Sequence, residues 1–150
     1  MFERGEAGSV ELRLSQQEQL LVAGLVEELR AMLKGEPGDE SLRRLFPPAY
    51  EEAGDEQAYR ELAGDDLLRG RLEALAVVER TVGQKRLTAD EADAWLRALN
   101  DLRLVLGTRL DVQEDTFLDD LRADDPRAPA LAVYGFLSWL QEQLVAALMD

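Results

Sequence analysis

The sequence predicts an all-α fold: a compact helical bundle of about four main helices, with a small N-terminal β-hairpin. Three observations predict it. Leucine-rich stripes recur at three- and four-residue spacing along four long segments. Two capping boxes, SQQE at 15–18 and TADE at 88–91, stand where such stripes begin. Strand-like alternation is confined to the first residues. A chain of 150 residues reads as a single domain, 1–150. At that length it buries roughly 70% of its unfolded surface and needs no staples.

Residues 1–14 form the expected hairpin. Val10, Leu12 and Leu14 alternate with Glu11 and Arg13, and GEAG supplies a turn. Ser15 then caps the first helix. Its stripe is Leu21, Leu25, Leu29 and Met32, widened by Val22, Val26 and Leu33, and Gly35 and Pro37 end it. Residues 35–54 are a connector rich in Gly, Pro and acids, and Leu45, Phe46 and Tyr50 are its apolar pins. From Asp55 to Val82 the pattern is helical again, with a break or kink expected at Ala63-Gly64-Asp65 and a buried face of Leu68, Leu72, Leu75 and Val78. Thr88 opens the clearest helix, whose stripe of Ala92, Trp95, Leu99, Leu102, Leu106 and Leu110 runs to about Leu110. An acidic loop follows at 111–125. Pro126 and Pro129 close it, and Val133, Leu137, Leu140, Leu144 and Leu148 mark one side of a final helix, with Trp139 nearby.

Composition removes whole classes of chemistry. The chain has 17 basic and 31 acidic residues, a formal charge of −14. Phosphate repulsion then opposes direct nucleic-acid binding, and the same sign opposes docking on an anionic membrane. The charge favours a basic protein partner. Cysteine and histidine are both absent. Thiol nucleophiles, disulfides, the usual zinc sites and imidazole catalysis are therefore excluded from these residues. No cofactor motif, catalytic set or metal set is expected. The start MFERGEAG lacks a signal peptide's basic and apolar regions, and the longest apolar stretch, LAVYGFLSWL at 131–140, is half of a membrane span. The expected location is the cytoplasm.

Three features remain as candidates. In NDLRLVLGTR at 100–109, Asn100 and Asp101 sit mid-helix, where their side chains compete for the backbone. Arg103 lies between two leucines, and Gly107 costs about 1 kcal/mol relative to Ala. Such local rule-breaking marks either function or a polar network between helices. The acidic run at 111–125, with Asp119 and Asp120 at its centre, lacks the alternating acids, Gly and terminal Glu of an EF-hand. It reads as a solvated loop or as a docking surface. Carboxylate pairs are inevitable among 31 acids and carry little weight alone.

The segments SVELRLSQQEQLLVAGLVEEL, RRLFPPAY, DDLLRGRLEAL, ADAWLRALNDLRLVLGTRL and YGFLSWLQEQL resemble an actinobacterial family first known as a domain of unknown function, the AosR-like oxidative-stress transcriptional regulators. The resemblance covers about Val10 to Leu148, and LFPPAY and WLRALNDLRLVLGTRL are its most specific parts. It implies a small cytoplasmic regulator that associates with an extracytoplasmic-function sigma factor and alters transcription of stress genes. Redox sensing in that family depends on a cysteine pair, and this chain has none, so that switch cannot operate here. The reading is a non-enzymatic regulator acting by protein contacts. Its candidate contact residues are Phe46, Tyr50, Asn100, Asp101, Arg103, Arg109, Asp119 and Asp120. A structural homodimer, built on the wide stripe around Leu25 and Val26, is the alternative. A carboxylate- or metal-dependent enzyme comes third.

Overall fold

The computed structural model describes residues 2–5, 8–35, 55–110 and 126–149, with backbone alone over 55–66. Phe46, Tyr50, Asp119 and Asp120, the 111–125 acidic loop and most of the 35–54 connector lie outside the described residues. The chain order is β1 (Phe2–Arg4), β2 (Val10–Leu12), α1 (Gln16–Lys34), α2 (Asp55–Thr81), β3 (Arg86–Leu87), α3 (Ala89–Arg109) and α4 (Ala128–Met149).

The hairpin is present but gains a third strand, giving an antiparallel sheet in the order β1-β2-β3. Phe2 pairs with Leu12, and Val10 pairs with Leu87. These four side chains share the inner face and are buried. The outer face sets Glu3 opposite Glu11, a like-charge pair. Arg13 lies 3.7 Å from Glu3 and 3.6 Å from Glu11 and offsets that repulsion. Gly8, at φ +78°, supplies the left-handed residue that the β1–β2 turn requires.

Both capping boxes form as the sequence predicts. Ser15 Oγ accepts from the Glu18 amide at 3.1 Å while Glu18 accepts from the Ser15 amide at 2.8 Å. Thr88 and Glu91 make the same pair at 3.2 and 2.8 Å. Each box satisfies two amides that a helix start leaves without partners. At the other end of α1 the Gly35 amide donates to the Met32 carbonyl at 3.2 Å, with Gly35 in an extended conformation.

α3 is the hub. It packs on α1, α2 and α4, and α4 also lies against β1. Trp95 sits at its centre, fully buried, edge-on to Phe2 with ring centroids 5.5 Å apart. Its indole N–H donates to Thr81 Oγ1 at 2.7 Å, and that hydroxyl donates to the Val77 carbonyl at 2.6 Å. The one polar atom of the indole is thereby satisfied inside the core.

Two expectations need correction. α2 runs unbroken through 63–65. One glycine costs about 1 kcal/mol, too little to end a helix of this length. The α4 stripe holds except at its end: Leu137, Leu140 and Leu144 are buried and Val133 packs against the core, but Leu148 is 38% exposed, and Leu131 and Ala147 are buried in addition. Because α4 is apolar on nearly every side, sequence alone does not mark where the buried stripe ends. α4 is long and apolar enough to cross a membrane by length and composition.

Candidate functional site

The rule-breaking segment of α3 is where polar side chains converge, and the helix distributes them around its circumference. Successive residues turn by about 100°, so Asn100–Asp101, Arg103 and Arg109 face three different neighbours.

Asp101 faces α2. It is buried, with 3% of its side chain exposed, and its Oδ1 accepts a hydrogen bond from the Arg71 guanidinium, itself 21% exposed. Burial pushes the Asp101 carboxyl above its ordinary value, against the opposing hydrogen bond and charge of Arg71 and the charge of Arg97. The pair closes the floor of a groove of about 360 Å³ between α2 and α3, lined by Leu67, Gly70, Arg71, Ala74, Arg97 and Asn100. Asn100 stands exposed on its rim. This groove brings two of the predicted residues together.

Arg103 faces α4 instead. It donates to Gln141 Oε1 at 2.6 Å, and its guanidinium lies 5.4 Å from the centroid of the Tyr134 ring. Arg109, exposed at the end of α3, reaches back to the Met32 sulfur at 2.9 Å and so ties α3 to α1. Thr108 returns its hydroxyl to the Leu104 carbonyl at 2.8 Å, and Gly107 is buried. Chemically this is a clamp. Asp101 holds α2, Arg103 holds α4 and Arg109 holds α1, each through a charged group anchored on α3.

Two surface features have no counterpart among the predicted residues. One is a cleft of about 760 Å³ where the β2–α1 junction meets the turn before β3, with Arg13, Lys85 and Arg86 on its walls. Its clue in the sequence is Lys85, one of two lysines in the chain, beside Arg86. The other is the outer face of α4. Trp139 is 41% exposed there and stacks on Phe136 with centroids 6.3 Å apart. Its clue is a 22-residue helix containing a single charged residue, Glu142. Among the described residues, no group of three or more Asp, Glu, His or Cys side chains converges as a metal site would need.

Comparison with known proteins gives relatives of one name. The chain is 32% identical over 145 residues to the oxidative stress regulator AosR of Mycobacterium tuberculosis and to that of Mycobacterium bovis, covering 83% of this chain and 66% of each relative. It is 32% identical over 131 residues to the putative oxidative stress regulator AosR of Mycobacterium leprae, covering 75% of this chain and 60% of that one. The chain thus spans just under two thirds of the length of these relatives. No solved structure matches it. The family model described as a domain of unknown function, DUF2017, matches residues 1–148, so this chain belongs to the DUF2017 family.

Proposed function

We propose that this chain is a non-enzymatic regulator of the oxidative-stress response that acts in the cytoplasm by binding a protein, an extracytoplasmic-function sigma factor. The observation that carries the reading is the 32% identity to proteins named oxidative stress regulator. The clamp geometry supports it. The polar groups of α3 are occupied in holding helices together, an arrangement suited to presenting a fixed surface. The charge of −14 supports it too, because it draws in a partner with a basic face.

Of the described candidates, Asn100 and Arg109 are exposed, which supports them as partner contacts. Asp101 and Arg103 position helices and act on binding only through them. These 150 residues contain no cysteine, so a thiol switch within them has no chemistry to run on. Control then rests on the amount of partner or on a signal sensed elsewhere.

The test is capture of purified sigma factors of the host by the immobilised chain at low and moderate salt. Capture of an extracytoplasmic-function member, weakening as salt rises, supports the reading. Absence of capture at low salt removes it.

A further inference from the structure

α4 carries two seams, and among the described residues only one is buried in the core. Leu137, Leu140, Leu144 and Ala147, spaced 3, 4 and 3 residues apart, are buried in the core. On an adjoining side, about 100° around the helix, Ala132, Phe136, Trp139, Gln143 and Ala146 are spaced 4, 3, 4 and 3. Ala132, Trp139 and Ala146 in that row are exposed, and Phe136 and Gln143 are half-buried. Alternation of three and four is the repeat that lets side chains of one helix enter the holes of another. A second seam of this kind on an already packed helix is geometry for a further helix.

We infer that this outer seam is where a second copy of the chain docks, α4 against α4 in antiparallel fashion about a two-fold axis at Trp139. Two features favour a second copy. The seam is self-complementary: Trp139 stands 11 residues from Ala128 and ten from Met149, near the middle of the helix. Ala132 and Ala146 lie seven residues to either side of it. Antiparallel pairing therefore sets the small Ala132 of one protomer opposite the small Ala146 of the other, with the two indoles at the centre. Charge points the same way. Each copy carries −14, so two copies repel except where charge is missing. α4 has one charged residue in 22, Glu142, and it lies on the flank of the seam. The seam is thus a surface on which like copies meet at small electrostatic cost. This site is separate from Asn100 and Arg109, so it stands or falls independently of sigma-factor binding.

Light scattering of the intact chain across concentration and salt reads the association. The expected result is a dimer that tightens as salt screens the like charges. Trp139→Glu and Ala146→Glu each raise its dissociation constant by about 30-fold or more, with far-UV circular dichroism unchanged. Because the chain lacks cysteine, Ala132→Cys and Ala146→Cys are clean reporters. A disulfide dimer forms when the two variants are mixed and not from either alone. A monomer at every concentration up to about 0.1 mM overturns the inference. So does a dimer indifferent to both glutamate variants, cross-linking of either cysteine variant with itself, or a monomer that instead partitions onto phosphatidylglycerol vesicles.

Discussion

At the scale of residues, Asp101 decides the character of α3. Its carboxylate is almost wholly removed from water and depends on Arg71 for compensation. Asp101→Leu leaves that guanidinium without its partner carboxylate in a largely buried setting. Unfolding in urea should show a loss of about 2–3 kcal/mol, below the ~3–5 of a fully buried pair because Arg71 keeps some water. The pH dependence carries a sign. Burial raises the Asp101 pKa above its ordinary 3.8, so as pH falls the folded protein binds this proton before the unfolded chain does. The contribution is then most favourable at low pH and diminishes as pH rises through the raised value. Asp101→Asn still accepts from Arg71 but does not titrate. Its stability relative to the parent should climb as pH rises from below the ordinary 3.8 through the raised value, and a relative decline would show that pairing outweighs burial. Thr81 makes the second residue-level prediction. Thr81→Val orphans the buried Trp95 N–H and should cost about 1–3 kcal/mol by the same measurement.

At the scale of elements, local chemistry was readable and distant pairing was not. SQQE and TADE specify helix starts through bonds spanning three residues, and both formed as the sequence implies. Removing either cap hydroxyl, Ser15→Ala or Thr88→Ala, should lower unfolding free energy by about 1 kcal/mol. β3 was invisible because two residues carry no periodicity, and Val10 and Glu11 on another strand define it. Asn100 and Asp101 announced a polar network by sitting where helices disfavour them. Arg71, the partner of Asp101, lies 30 residues away, and only the packing of α2 on α3 identifies it. Arg103 likewise finds Gln141 at a separation of 38. On α4 the three- and four-residue spacing marked Leu137, Leu140 and Leu144 as the inward side, but a nearly uniform apolar composition hid its limits, since Leu131 and Leu148 look alike in sequence yet differ in burial.

At the scale of the whole molecule, the governing quantity is net charge. A chain at −14 presents a strongly negative body, within which the Arg71–Asp101 pair ties α2 to α3. Long-range attraction then sets the rate of encounter with a basic protein, and short-range contacts set its lifetime. Salt separates the two kinds of association: binding to a basic partner weakens as ionic strength rises, whereas self-association strengthens. The most direct test of the account is the association rate of the purified chain with its host's extracytoplasmic-function sigma factor, measured by stopped flow at about 0.05 M and about 0.5 M salt. The account predicts a one-to-one complex whose association slows at least about tenfold across that range. No complex at the lower salt, or a rate indifferent to salt, would contradict it.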